Sequence, residues 1–203
     1  MRLSRWITTV SAALLVCVAL HARPATAEVS CTPPNMYGVQ LCTSGLPTFV
    51  VAQAINDRQY QSEWCWAASI SNVFKYYGHS VSQQRVVDET YGVVANVPGT
   101  DQAMRGALNR TWTDDRGTQF TVRSDYVYPA QAAKELSLRH PLIVTTLGHA
   151  MVLTALTYER APNSSGNVTA ATVRDPWPYN PNRRILSRRE WYSITNLFRI
   201  AIT

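Results

Sequence analysis

The chain has 203 residues, a formal charge of +6 and 46% hydrophobic residues. That length admits one compact domain with a real core and not two comfortable ones. The mild positive charge comes without a dense Lys/Arg run, which argues against a nucleic-acid-binding surface.

Met1-Arg2-Leu3-Ser4-Arg5-Trp6 is a basic start, an apolar run from Ile7 to Leu20 follows, and Ala25-Thr26-Ala27 comes soon after. This is the order of a secretory signal peptide, with cleavage expected after Ala27, and the apolar run is too short to span a bilayer comfortably. Nothing later in the chain is apolar enough to span a membrane. The expectation is therefore an exported protein, secreted or periplasmic, with no stable membrane association and acting as a monomer. Removal of Arg2, Arg5 and Arg23 with the leader takes the formal charge from +6 to +3. Cys17 leaves too, so Cys31, Cys42 and Cys65 remain. An odd count in an oxidising compartment leaves one thiol free or paired with another molecule. Cys31 and Cys42 flank the turn-rich Thr32-Pro33-Pro34-Asn35-Met36-Tyr37-Gly38 and are the expected pair, which leaves Cys65 free. Three glycosylation sequons begin at Asn109, Asn163 and Asn167 and matter only in a glycosylating host.

Residues 28–50, rich in Pro, Thr and Ser, are expected to form a disulfide-tied N-terminal strap, free to cover a cleft, ahead of a main domain over 51–203. From Glu63 to Tyr77 apolar residues recur at spacings of three and four, which predicts a helix with Ser62 as N-cap and Gly78 just past its end. Ser82 caps a second predicted helix reaching Tyr91, with Gly92 after it, and Thr100 opens a third over 101–110. Thr118 to Tyr128 alternates and is rich in β-formers. Pro129 begins a short helix that ends before His140-Pro141. Strands are then expected over Leu142–Leu147, His149–Thr157, Asn167–Arg174 and Leu197–Ile202. Helices first and an antiparallel sheet afterwards is an α+β layout. Arg183-Arg184 and Arg188-Arg189 read as a solvated basic surface.

Three segments carry chemistry. Cys65, in Gln59-Tyr60-Gln61-Ser62-Glu63-Trp64-Cys65-Trp66-Ala67-Ala68-Ser69, opens the first helix, where backbone N–H groups and the macrodipole favour a nucleophilic thiolate. His149 begins an apolar strand after Gly148 and is placed to act as base. Asp175 is held extended by Pro176 and is placed to orient that base. A core cysteine, a satisfied core histidine and a turn-forming Asp-Pro are the plain structural readings of the same residues, and the three segments together favour catalysis. His79 and His140 are rival bases. Trp64 and Trp66 are expected either as one core residue and one cleft wall or as two core aromatics.

A glutamine six positions before a Cys-Trp pair that opens a helix, then a His on an apolar strand, then an Asp-Pro, resembles the papain-like (clan CA) cysteine peptidases. The closer resemblance is to bacterial C39-like and AvrRpt2-like proteins, whose nucleophile segment often reads Trp-Cys-Trp-Ala-Ala, and it covers about residues 59–176. It implies a helical lobe, whose central helix bears Cys65, packed against an antiparallel sheet lobe bearing His149. It also implies Asp175 as the third member and Gln59 as oxyanion donor, with Gln61 a rival on spacing. The reading that follows is an exported cysteine peptidase acting on protein or peptide substrates. Two alternatives use the same residues: a peptidoglycan amidase or transglutaminase-like acyl transferase, and a papain-like module that binds peptide without cutting. No metal or cofactor is expected, because no Cys-x-x-Cys or His-x-x-x-His pair accompanies Cys65, His149 and Asp175.

Overall fold

The computed structural model describes residues 29–162 and 164–203; the expected leader and its cleavage point lie outside them. Strands β1 (Val29–Cys31) and β2 (Gln40–Gly45) lead into four helices, α1 (Thr48–Ala54), α2 (Cys65–Tyr76), α3 (Gln83–Tyr91) and α4 (Asp101–Ala107). Strands β3 (Thr111–Thr113) and β4 (Gln119–Tyr126), a 3-10 turn at Pro129–Gln131 and α5 (Ala132–Ser137) come next. The chain ends with β5 (Leu142–Thr146), β6 (His149–Ala161), β7 (Ser164–Arg174), β8 (Arg183–Ile185), α6 (Arg188–Tyr192) and β9 (Ile194–Ile202). The layout is the expected papain-like α+β one, except that two strands of the antiparallel sheet, β1 and β2, precede the helices.

The sheet runs in the order β1-β2-β6-β5-β9-β4-β3, with β7 paired to β6 and β8 to β7. Strand β6 is its hub. It pairs with β5 over 149–153 and with β2 over 155–160 along one edge, and with β7 over 152–161 along the other. The N-terminal strap is therefore a sheet edge, away from the end of β6 that carries His149. Cys31 and Cys42 are directly opposed in the β1–β2 register and joined by a disulfide, and β2 lies along the half of β6 remote from His149.

Helix α2 is buried on all sides from Trp66 to Phe74, which makes it the central helix of the core. Phe74 meets Trp112 and Phe120 edge-on at centroid distances of 5.5 and 5.2 Å. The polar residues of α2 are spent locally: Ser71 Oγ donates to Val81 O at 2.7 Å, and Asn72 exchanges hydrogen bonds with the Asp57 backbone. The caps of α3 and α4 are those read from sequence. Ser82 accepts from Arg85 N–H and Thr100 from Ala103 N–H, and Gly92 takes φ +72° after α3. Helix α4 stops at Ala107, three residues short of the expected end. The sequence pattern missed β1, β2, α1, β3, β8 and α6, all of seven residues or fewer.

Candidate active site

Cys65 is the first residue of α2, and the approach to it is a tight turn. Gln59 N–H donates to Pro176 O at 2.9 Å, and its side-chain Nε2 donates to the carbonyls of Gln61 and Ser62, each at 2.8 Å. Gln59 Oε1 is buried without a partner. This knot delays the helix by two residues and corrects the expected cap. Trp64 occupies the N-cap without a side-chain bond, while Ser62 Oγ accepts from Asn96 Nδ2 at 2.9 Å. The opening N–H groups of α2, that of Cys65 among them, have no side-chain cap and face an approaching anion with the positive end of the helix.

The loop after α3 forms one cleft wall and is pinned by the two tryptophans beside the nucleophile. Trp64 Nε1 donates to Ala95 O at 2.9 Å and Trp66 Nε1 to Val97 O at 3.2 Å. Both indoles are buried, and Trp66 also lines the cleft, so a single residue fills both expected roles. Gly99 packs flat on it: a methyl group there would fall 2.3 Å from Trp66 Cγ. The cleft holds about 140 Å³ and is bounded by Cys65, Trp66, Gly99, Met104 and His149. A larger hollow of about 600 Å³ lies elsewhere, among Ala133, Leu156, Val168 and Trp191, and neither Cys65 nor His149 borders it.

His149 is delivered by the two-residue hairpin between β5 and β6. Leu147 and Gly148 take φ +50° and +77°, the left-handed pair whose twist matches the flanking strands. The sheet register then sets its partners. Leu153 of β6 opposes Val173 of β7, which opposes Arg184 of β8. With side chains alternating at a period of two, His149, Met151, Val173, Asp175 and Arg184 share one face. Asp175 lies one residue past β7, its N–H continuing the ladder to Asn182 O at 2.7 Å.

His149 Nε2 and Asp175 Oδ1 are 2.7 Å apart, with the Asp175 carboxylate wholly buried and the imidazole a quarter exposed. Trp177 N–H also donates to Oδ1, and Asn180 Nδ2 and Arg184 Nε donate to Oδ2. Arg58 Nη1 ties down the carbonyls of Asp175 and Trp177. Burial opposes a charge on Asp175, but the bonds from His149, Arg184, Asn180 and Trp177 outweigh it and hold the carboxyl below the ordinary carboxylate range. Burial likewise opposes the imidazolium, yet the bond to Asp175, followed by the bond and charge of Cys65, raises His149 to about 9. With Nε2 committed to Asp175, Nδ1 is the ring nitrogen left for the sulfur. Cys65 is a free thiol, half-buried, and Ala150 N–H reaches Sγ at 3.5 Å.

The structure thus brings Cys65, His149 and Asp175 together, with Gln59 behind the turn that leads to Cys65. The rival histidines are structural. His79 is stacked on Phe120 at 4.1 Å and bonded to Asp114, and His140 is bonded to Glu135. Gln61 is exposed and contributes its carbonyl to the turn. Among the described residues no group of three or more His, Cys, Asp and Glu is placed to hold a metal.

The sequence reading of Arg183-Arg184 as solvated surface fails for Arg184, which bridges Asp175 and Glu190 in the interior of the site. Its signal was faint: a charged residue on a strand two positions before Leu186, next to a Ser187-x-x-Glu190 capping box. Chemically, the cluster offers a free sulfur, an imidazole whose charged form is favoured by Asp175 and a helix terminus suited to negative charge. That is an apparatus for acyl transfer at a carbonyl carbon.

The family model described as "Peptidase_C39 like family" matches residues 51–196, well over half the chain. No match is found among curated proteins. Among solved structures the chain is similar to a double glycine motif protease from an AMS/PCAT transporter, crystallised with a leader peptide: 18% identity, TM-score 0.45, 72% of this chain and 89% of that one. It is also similar to the peptidase domain of Streptococcus ComA, a bifunctional ABC transporter, at 19% identity and TM-score 0.48, covering 72% of this chain and 96% of that one.

Proposed function

This chain belongs to the Peptidase_C39-like family and is a cysteine-type peptidase of papain-like fold, and on that premise we propose that it is exported and hydrolyses peptide bonds through Cys65, His149 and Asp175. The Cys65 thiolate attacks the carbonyl carbon, forming a C–S bond and a tetrahedral oxyanion. The His149 imidazolium gives its proton to the leaving amine as the C–N bond breaks. Water, deprotonated by the now neutral His149, attacks the thioester; the C–S bond breaks, the acid leaves, and the Cys65 thiolate beside the His149 imidazolium is restored. Asp175 fixes the ring through Nε2 and favours its charged form. The observation that carries this reading is the 2.7 Å His149–Asp175 pair beside a free thiol at a helix start.

The Cys65 N–H is the backbone donor to the oxyanion, and Gln59 the side-chain donor. Both Nε2 hydrogens of Gln59 are committed to the Gln61 and Ser62 carbonyls, so substrate binding must exchange one of those bonds for the oxyanion. Export rests on the Met1–Ala27 leader, and sequencing the exported protein should begin Glu28-Val29-Ser30.

Incubating mature protein with casein and with purified muropeptides, each beside Cys65→Ala, tests the substrate class. Casein cleavage lost in Cys65→Ala is the expected result. Release from muropeptides alone would make it an amidase, and no turnover of either would favour a peptide-binding module.

A further inference from the structure

Among the described residues, Arg184 is the one cation paired with the Asp175 carboxylate that the proposed mechanism does not use. Its Nε donates to Asp175 Oδ2 at 2.6 Å, and its two Nη groups donate to Glu190 at 2.7 and 3.1 Å, so one guanidinium joins two carboxylates. Nη2 also lies 3.1 Å from Met151 Sδ, on the strand that carries His149. Glu190 is fixed in turn. It is the third residue of α6, and it accepts the N–H and Oγ of Ser187 in a capping box. The Glu190 carbonyl accepts Thr146 Oγ1 at 2.6 Å, and Thr146 is the last residue of β5 before the hairpin that presents His149. The contacts close a ring: His149, Asp175, Arg184, Glu190, Thr146 and back through Leu147-Gly148 to His149.

We propose that Arg184 is a positioning residue for the Cys65–His149–Asp175 site, holding the buried Asp175 carboxylate ionised and turned so that Oδ1 faces the imidazole. The inference rests on the proposed role of that site. A buried carboxylate without a cation either takes up a proton or turns toward other donors, and either change withdraws support from the imidazolium. Arg suits the position better than Lys because its planar fork serves two acceptors at fixed angles, where an ammonium offers a point charge. The charged groups facing the pair are few: Cys65 from α2, Glu190 from α6 and Arg58, which binds the Asp175 carbonyl. Among the described residues, Arg184 and His149 are the charged groups that bond the Asp175 carboxylate itself; its other donors, Asn180 Nδ2 and Trp177 N–H, are neutral. Glu190 stays ionised for the same reason. Burial disfavours its charge, but Arg184 and Ser187 lower it to about 2.

The test needs no substrate. The rate of Cys65 alkylation by iodoacetamide is measured against pH in the mature protein, in Arg184→Met, in Arg184→Lys and in Arg184→Met/Glu190→Gln. The double variant leaves no lone buried carboxylate at position 190 and guards against simple misfolding. Histidine ring NMR follows His149 in the same proteins, assigned with His149→Ala. The acid limb of alkylation should move up by about one pH unit in Arg184→Met and in the double variant, a roughly tenfold loss of reactivity on that limb. His149 should titrate correspondingly lower than about 9, and Arg184→Lys should recover part of the shift. A folded Arg184→Met or double variant whose limb and His149 titration match wild type overturns the inference, however far its melting temperature falls. If His149→Ala itself leaves the limb unmoved, the site reading has failed, and not the role of Arg184.

Discussion

At the residue scale, Gln59 carries two duties that a single substitution separates by what it disturbs. Its amide closes the turn before Cys65 and is also the proposed oxyanion donor. Gln59→Ala should lower kcat on a peptide substrate by about a hundredfold, the usual cost of one such donor, with iodoacetamide labelling of Cys65 nearly unchanged. Equal loss of labelling and turnover would assign Gln59 to the turn alone. His149 supports a pH prediction whose sign follows from its direction of shift. It is raised from 6.5 to about 9, so the proton proposed to pass to the leaving amine is held below about 9 and lost above. Turnover should therefore persist through neutrality and fall on an alkaline limb near that value. The same shift stabilises the fold: its contribution is complete below about 6.5 and fades as pH rises through about 9. Asp175 acts in the opposite sense, stabilising above the ordinary carboxylate range and losing that contribution as acid protonates it. A turnover profile that already falls near 6.5 would contradict the His149 environment described here.

At the element scale, the hairpin that presents His149 contains a local cost. Leu147 sits at φ +50° with its side chain half exposed, in a turn position better suited to Asn or Gly. Leu147→Asn should stabilise the protein by about 1 kcal/mol in urea unfolding; an unchanged midpoint would mean that the leucine gains elsewhere what its backbone loses. The elements also show what was legible in the sequence. Helix α2 was readable because it is long, periodic and closed by Gly78 at φ +90°, and α3 and α4 because Ser82 and Thr100 cap them by the expected bonds. The start of α2 was misread because Ser62 is a good cap in isolation, and only the fold brings Asn96 to its hydroxyl. The Cys65, His149 and Asp175 positions were legible because each sits at an element end with its own local signature. Arg184 was not, because a cation on a three-residue strand looks like surface until β7 and α6 enclose it with two carboxylates. Helix α1 gave no signal either: its N-cap is Pro47, with no side-chain bond to announce it.

At the scale of the whole molecule, β6 joins the strap, the site and the last strands into one sheet, so damage at the strap is transmitted as lost stability and not as lost chemistry. Cys31→Ser/Cys42→Ser should cost about 3 kcal/mol in the chain-entropy account of an 11-residue separation. Its Cys65 alkylation profile should stay at the wild-type position, because β2 meets β6 at 155–160, beyond the residues that hold His149. A displaced profile would mean that the two ends of β6 are coupled. The two kinds of sulfur also set opposite terms with the surroundings. Cys31–Cys42 persists only where oxidation is favoured, whereas a nucleophilic Cys65 is most readily lost there to sulfenic acid and further oxides. The working range is thus bounded on both sides: too little reductant silences the nucleophile, and too much opens the strap. Across a thiol–disulfide buffer, alkylatable Cys65 should rise with reductant while the melting temperature declines, and that decline should vanish once Cys31 and Cys42 are both serine.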